Sequence, residues 1–111
     1  MSEDIHNRFG FHLDGLAWRD TAPGLREKKY ESGERCFRLL EFRESFREPN
    51  WCTRGHTGYV LSGEIVVCIE DQLITYRQGN VLDIPEGIRH RHHSTTETAV
   101  LFLIENAKEA E

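Results

Sequence analysis

The sequence has no long apolar run and little positive charge, and each shortage excludes a class of protein. No segment approaches the roughly 18 consecutive apolar residues of a membrane-spanning helix, and the N-terminus MSEDIHNRFG lacks the basic and apolar regions of a signal peptide. We therefore predict a cytoplasmic protein with no membrane partner. With 14 Lys and Arg against 19 Asp and Glu, the net charge of −5 argues against a nucleic-acid partner.

The sequence also contains few cysteines and lacks the apolar periodicity of helices from Glu34 onward. The three cysteines, Cys36, Cys52 and Cys68, are far apart in sequence and cannot all pair within one chain, so they indicate free thiols. From Glu34 onward no apolar period typical of a helix is present. A length of 111 residues suits one domain with one core and one pocket, and a small-molecule ligand is the expected partner.

What the sequence does contain is a series of short apolar segments separated by turn residues, which predicts an all-β domain. The predicted strands are rich in Val, Ile, Leu and aromatic residues. They cover residues 36–42, 58–61, 64–70, 72–77, 80–84 and 98–104. The run IVVCIEDQLITY predicts a hairpin that turns near Asp71 and Gln72, and its first strand is expected to be central because both of its faces are apolar. Closure into a barrel or double sheet avoids exposed edges, and a jelly roll fits this length.

Composition divides the chain into three segments. Residues 34–105 are predicted to form the barrel, and residues 106–111 an acidic tail that forms a last helical turn or frays. Residues 1–33 are more polar and contain several glycines, so we interpret them as an N-terminal arm that packs on the barrel. The apolar anchors expected in this arm are Phe9, Phe11, Leu13, Leu16 and Trp18.

Two segments carry side chains that can bind a metal ion. Asn50 and Cys52 lie on the same side of an extended strand, and His56 follows shortly after them. About thirty residues later, a turn precedes a second extended stretch in which His90 and His92 share a face. Imidazole nitrogen and thiolate sulfur are the ligands that Zn²⁺, Fe²⁺, Ni²⁺ and Cu²⁺ prefer, so the two segments together predict a transition-metal site.

Each of these residues also has an interpretation without a metal. Free cysteine is among the most buried residue types, so Cys52 is consistent with a small apolar core residue. The ring of His56 lies at a strand start and is consistent with a solvent-facing position. The basic stretch Arg89, Arg91 and His93 is interpreted as a solvated strand end.

The second segment resembles the second motif of the cupin superfamily, G-x5-P-x-G-x2-H-x3-N. Gly79, Pro85, Gly87 and His90 stand at the matching positions with every spacing kept. Ser94 replaces the final asparagine, and this is the one departure from the motif.

The first segment resembles the first cupin motif, G-x5-H-x-H-x(3,4)-E-x6-G, in spacing rather than in identity. Asn50 and Cys52 stand at the two histidine positions, and His56 stands at the glutamate position. Gly63 matches the terminal glycine, whereas Glu44 replaces the opening one. The combined resemblance covers residues 44–94, a little under half of the chain.

The resemblance implies a cupin-type double-stranded β-helix, an RmlC-like jelly-roll barrel, that holds one divalent metal ion inside. Carried over by position, the ligands are Asn50, Cys52, His56 and His90, and His92 is an alternative to Asn50. The ion is expected to be Zn, Fe, Ni, Mn or Cu. One thiolate with neutral ligands would leave a net charge near +1, which favours an anionic ligand.

Three functions follow from the resemblance. The first is a non-catalytic pocket that binds a metal ion, a small molecule or both. The second is a metal-dependent enzyme, resembling the dioxygenases or isomerases of the superfamily, that acts on a small anionic metabolite. The sequence favours binding because no pair of carboxylates stands at the motif positions for acid–base chemistry, so no catalytic residue is assigned. The third is a barrel without a metal, and a homodimer is expected in each case.

Overall fold

The computed structural model describes residues 9–106, which form two antiparallel β-sheets. A short 3-10 helix, Leu13–Gly15, precedes the strands. The strands are β1 (Arg19–Ala22), β2 (Leu25–Ser32), β3 (Arg35–Arg43), β4 (His56–Ser62), β5 (Glu64–Ile69), β6 (Gln72–Arg77), β7 (Val81–Ile84), β8 (His90–Thr95) and β9 (Thr98–Asn106). Among these described residues, none forms a helix with the length and hydrophobicity that crossing a membrane requires.

The strand order is that of two facing sheets. One sheet has six strands in the order β1-β2-β3-β9-β4-β7, and the other has three in the order β6-β5-β8. The predicted all-β jelly roll is therefore confirmed, and each of the six predicted strands overlaps an observed one. The predicted hairpin is β5–β6, and β5 is the central strand of the smaller sheet.

Two strands, β1 and β2, lie within the segment that the sequence assigns to an N-terminal arm. β2 pairs with β3 along its whole length, so residues 19–32 extend the larger sheet, and the predicted division after residue 33 falls in the β2–β3 turn. β2 is rich in charged residues, so it lacks the apolar pattern by which six other strands were predicted. It is held by ion pairs to β3: Arg26 Nε lies 2.6 Å from a Glu41 oxygen on the sheet surface. The boundaries of the arm stay a prediction, and residues 107–111 of the tail lie outside the described residues.

Aromatic residues of the predicted arm pack on the larger sheet. The Phe11 ring stacks on Tyr30 of β2 with the centroids 4.3 Å apart. The Trp18 ring lies 4.2 Å from the guanidinium carbon of Arg26. Phe9, which was expected to be an anchor, is 82% exposed. The Phe11 ring also lies 5.2 Å from that of Phe37, so Phe11 contacts both β2 and β3 of the larger sheet.

The core lies between the two sheets and gives way to polar side chains at one end. Along β3 the inward-facing side chains change from Leu40 to Arg38, and along β9 they change from Leu101 to Glu105. The apolar part consists of Leu40, Phe42, Phe46, Val60, Ile65, Val67, Leu82, Ile84, Ala99, Leu101 and Leu103. The barrel therefore has an apolar interior and a charged end, and the candidate site lies between them.

Three glycines of the two sequence motifs have backbone angles that explain why glycine is needed there. Gly63, Gly79 and Gly87 have φ values of 79°, 90° and 95°, a region that other residues rarely adopt. At Gly63 an added Cβ would also overlap the carbonyl oxygen of Thr98. The turns between β4 and β5, β6 and β7, and β7 and β8 thus fix the spacing of the candidate ligands.

Candidate metal site

Cys52 and His90 are bound to each other through their backbones, which brings the two motif segments together. The Cys52 N–H donates to the His90 carbonyl at 2.8 Å, and the His90 N–H donates to the Cys52 carbonyl at 2.9 Å. Residues that exchange two backbone hydrogen bonds in this way lie directly opposite, with their side chains on the same side. Thiol and imidazole therefore both project into the interior.

His56, the first residue of β4, completes a cluster of three donors. Its ring centroid lies 4.8 Å from that of His90, with the two planes at 77°. Sγ of Cys52 and one ring nitrogen of each histidine lie within 4.8 Å of one another. In a tetrahedral zinc site such atoms are about 3.3–3.8 Å apart, so the cluster is slightly open. All three residues line a cavity of about 180 Å³.

The protonation state of His90 suits a metal ligand. Its Nδ1 lies 2.9 Å from the Ile88 carbonyl oxygen and donates to it, which leaves Nε2 with a free lone pair. Nε2 is buried, and no described residue forms a hydrogen bond with it. Burial is the main cause that lowers the pKa of His90, so the neutral ring predominates at neutral pH. A buried, neutral ring with a vacant nitrogen fits a metal ion.

Cys52 is a half-buried free thiol whose sulfur also points into the cavity. The backbone N–H of Arg54 donates to Sγ at 3.4 Å, which tethers the sulfur from the loop side. Cys36 and Cys68 are free as well, but neither belongs to the cluster. Cys36 is completely buried, and burial is the main cause that raises its pKa.

Asn50 and His92, the other two candidate ligands, are not brought into the cluster. Asn50 is exposed and does not line the cavity. The alternation expected from an extended strand does not hold there, because residues 44–55 are irregular apart from the single bridge at Cys52. His92 does face inward, but it lies two residues further along β8, about 6.6 Å from His90 along the strand.

His92 is instead packed against aromatic rings beside the cavity. Its ring stacks on Phe42 at 4.6 Å and meets the edge of Phe46 at 5.0 Å, and Nε2 lies 2.6 Å from Thr95 Oγ1. Burial, with smaller effects from the charges of His93 and Arg47, lowers its pKa from 6.5 to about 4. The folded protein thus holds this ring neutral.

The depressed pKa of His92 predicts a loss of stability in acid. The unfolded chain takes up a proton near pH 6.5, whereas the folded chain does so near pH 4, so this stability is present above 6.5 and lost as the pH falls. Between pH 7 and pH 5 the contribution is about 2 kcal/mol. Urea unfolding at both pH values should show a loss smaller by that amount in His92→Gln. His93, the exposed neighbour, provides the control: His93→Gln should lose as much free energy of unfolding between pH 7 and pH 5 as the wild type does. Equal losses in the wild type, His92→Gln and His93→Gln would contradict this account.

A carboxylate that is not among the predicted site residues, that of Glu105, lies next to Nδ1 of His56. Glu105 Oε2 is 2.5 Å from His56 Nδ1, although the ring N–H is not aligned with this oxygen. The side chain is 0% exposed and is also approached by Arg38 at 3.2 Å and by Arg54 at 3.3 Å. Burial alone would raise the pKa of Glu105, but His56 and the two arginines outweigh it and lower the pKa. The carboxylate is therefore ionised at neutral pH.

The alternation of β9 contains the signal for Glu105. Ala99, Leu101 and Leu103 point inward, and the same period of two continues to Glu105. The last strand predicted from the sequence ends at residue 104, which leaves Glu105 at the end of the predicted barrel and outside the predicted site. An acidic residue in phase with a buried apolar face is the pattern to look for.

A second carboxylate keeps this end of the barrel electrically balanced. Glu27 Oε1 lies 2.9 Å from Arg38 Nε, so two arginines and two glutamates form a network with no net charge. Glu48, on the other side of the site, lines the cavity and accepts the backbone N–H of His92 at 2.7 Å. The sequence-based estimate of +1 counted only the metal ion and its ligands, so it included none of these four charged network residues and not Glu48.

The basic stretch of β8 faces away from the cavity. The Trp51 ring contacts the guanidinium carbons of Arg89 at 4.1 Å and of Arg91 at 4.6 Å. His93 is exposed, and none of these four residues lines the cavity. The inner face of β8 thus carries His90 and His92, whereas Arg91 of β8 and Arg89, just before the strand, contact the Trp51 ring.

Comparison with known proteins agrees with this architecture. The cupin domain family matches residues 47–105, a span that contains Cys52, His56, His90 and Glu105. The chain belongs to the cupin family. A comparison of the sequence with curated proteins finds no match.

Solved structures share the fold of this cupin. KdgF from Halomonas sp. superposes with a TM-score of 0.75 at 19% identity, over 89% of this chain and 93% of that one. An RmlC-like cupin from Shewanella frigidimarina superposes with a TM-score of 0.73 at 14% identity, over 86% of this chain and 87% of that one. The cupin domain of Cnp3 from Schizosaccharomyces pombe superposes with a TM-score of 0.70 at 14% identity, over 89% of this chain and 74% of that one. At these identities the likeness shows the fold alone.

Proposed function

We propose that this cupin binds one divalent transition-metal ion through Cys52 Sγ and the Nε2 atoms of His56 and His90. The observation that carries the proposal is the vacant, buried Nε2 of His90, which lies beside a thiol and a second imidazole. Burying a polar atom without a partner is unfavourable, and a bound ion would remove that penalty. Asn50 and His92 are not needed as ligands in this proposal.

The number of protein ligands favours a site that also accepts a small molecule. Structural zinc sites are closed by four protein ligands, whereas sites with three keep a position for water or substrate. The three donors here adjoin a cavity rather than packed side chains. A divalent ion in this position would supply Lewis acidity at its open coordination position.

The cavity limits what that small molecule can be. A volume of about 180 Å³ corresponds to about six water molecules, well below the roughly 300–1,000 Å³ of pockets for larger ligands. Much of its wall is apolar, and Leu82, Ile84 and Leu103 are among the residues that form it. We propose a ligand with a small apolar body and one metal-binding group. Because the carboxylate of Glu48 also lines the cavity, that group need not be anionic.

Metal analysis of untagged protein tests the proposal. We expect about one equivalent of a transition metal per chain after purification, or after a chelated sample is reloaded with Zn²⁺. Cys52→Ala should lower the metal content, whereas Cys68→Ala, a half-buried thiol outside the cluster, should not. Equally little metal in all three proteins would contradict the proposed site.

A ligand screen on the metal-loaded protein separates a binding module from an enzyme. Small carboxylates and thiols that fit the cavity are suitable probes, with binding followed by calorimetry and product by mass spectrometry. We expect saturable binding without product. Turnover would instead favour the second candidate, a metal-dependent enzyme.

Homodimer formation and a cytoplasmic location remain predictions for this protein. The outer face of the larger sheet exposes several apolar side chains, and this supports a dimer. They include Tyr59, Leu61, Val81 and Ile104. Light scattering coupled to size-exclusion chromatography measures the mass of the particle in solution.

A further inference from the structure

We propose that Glu105 is a positioning residue that fixes the tautomer and orientation of His56 so that its Nε2 is presented to the metal ion. The inference rests on the proposed function, since it concerns the same cluster. It assigns a role to a residue that does not line the cavity and that lies outside the two motif segments.

The contact between the two side chains carries the inference. His56 Nδ1 and Glu105 Oε2 are already 2.5 Å apart, which is within hydrogen-bonding distance, so only the direction of the ring N–H separates this contact from a hydrogen bond. A carboxylate beside Nδ1 favours a proton on that nitrogen and leaves the lone pair on Nε2. Metal-binding histidines commonly donate their second ring N–H to a carboxylate or carbonyl, which fixes the tautomer and raises the basicity of the ligand nitrogen.

In both histidines of the cluster, Nδ1 lies next to an oxygen atom of another residue. His90 Nδ1 donates to the backbone carbonyl of Ile88 at 2.9 Å, and His56 Nδ1 faces the side chain of Glu105. In both rings it is Nε2 that remains for the cluster. With a proton on each Nδ1, both rings would offer Nε2, one of the two imidazole nitrogens that bind metal ions.

The surrounding charges hold the Glu105 carboxylate in place. Arg38 approaches from β3 and Arg54 from the loop that follows Cys52, and each lies within 3.3 Å of a carboxylate oxygen. Arg54 also donates to the Asn106 carbonyl at 2.6 Å, so it has little freedom to move. The carboxylate is thus fixed from two directions, which a group that positions a ligand needs.

The charge of the site also makes this role reasonable. At the position where the family motif has a glutamate, this chain has His56, so the cluster itself lacks a carboxylate. Glu105 lies on β9, the neighbour of β4 in the larger sheet, and places a carboxylate next to Nδ1 of the His56 ring. The carboxylate would therefore contact a metal ligand, His56, rather than the metal ion itself.

Zn²⁺ affinity, measured by competition with a chromophoric chelator, tests the role of Glu105. We expect Glu105→Gln to bind Zn²⁺ about 10- to 100-fold more weakly than wild type, the usual effect of removing such a partner. The matched control is Glu27→Gln, which removes a buried carboxylate from the same arginine without touching His56. Its affinity should stay within about threefold of wild type, even though both variants lose folding stability.

A second measurement does not depend on metal. Nitrogen-15 NMR of the metal-free wild type should show His56 protonated at Nδ1, with a shift toward the Nε2-protonated form in Glu105→Asp, whose carboxylate is one methylene shorter. Wild-type Zn²⁺ affinity in Glu105→Gln, or a His56 ring protonated mainly at Nε2 in the wild type, would overturn the inference. If the wild type binds no Zn²⁺, the proposed metal site fails, and the tautomer alone decides the role of Glu105.

Discussion

Replacing His90 with alanine should lower the affinity for Zn²⁺ by at least about 100-fold, because it removes one of three protein ligands. The remaining donors, Cys52 and His56, both come from the first motif segment, and the variant would lose the only ligand that the second segment supplies. His90 is only 5% exposed, and its Nδ1 already donates to the Ile88 carbonyl, so Nε2 is the nitrogen that the substitution removes from the cluster. Competition titration and metal content after gel filtration both measure the change.

The control for this variant lies three residues away on the same strand. His93 is exposed and does not line the cavity, so His93→Ala should bind Zn²⁺ as wild type does. Circular dichroism checks that both variants keep the β-sheet signal. If His90→Ala retained one tightly bound equivalent, the ligand assignment would be wrong.

Replacing Arg38 with methionine should lower the free energy of unfolding by about 3–5 kcal/mol. The change keeps an unbranched apolar stem but removes the guanidinium group, which leaves Glu27 without its partner and Glu105 with one arginine fewer. Both carboxylates are nearly inaccessible to water, and removing one member of a buried ion pair leaves an uncompensated charge. Urea unfolding at neutral pH, in the absence of metal, measures the loss.

A second arginine on the same pair of strands provides a matched control. Arg26 forms an ion pair with Glu41 at 2.6 Å, but its side chain is 36% exposed and lies on the sheet surface. Arg26→Met should therefore lower the stability by less than about 1 kcal/mol. If the two substitutions had equal effects, burial would not be what makes the Arg38 network important.

The fold was predictable where apolar alternation and turn glycines coincide. β5 and β6 were found because apolar residues occupy both faces up to the turn at Asp71, and the glycine turns set the spacing of the motifs. β2 was missed because its inward-facing Glu27 is matched by an arginine on another strand. A single segment shows no sign of such a cross-strand pair, so propensity and periodicity do not detect it.

The site was predictable to the extent that motif spacing reflects sheet geometry. Cys52, His56 and His90 are at motif positions, and the structure brings them together. Asn50 has the right spacing but lies in an irregular segment, where alternation does not determine the direction of a side chain. Glu105 was outside the motifs, and its approach to His56 depends on the pairing of β9 with β4, a contact between residues far apart in sequence.

X-ray absorption at the metal edge of the Zn²⁺-loaded protein tests most directly whether the cluster holds an ion. We expect a first shell with one sulfur at about 2.3 Å and two imidazole nitrogens at about 2.0–2.1 Å, completed by a light atom from solvent. Cys52→Ala should lose the sulfur shell and keep the imidazole signal. A first shell of oxygen atoms alone, with neither sulfur nor imidazole scattering, would contradict the account.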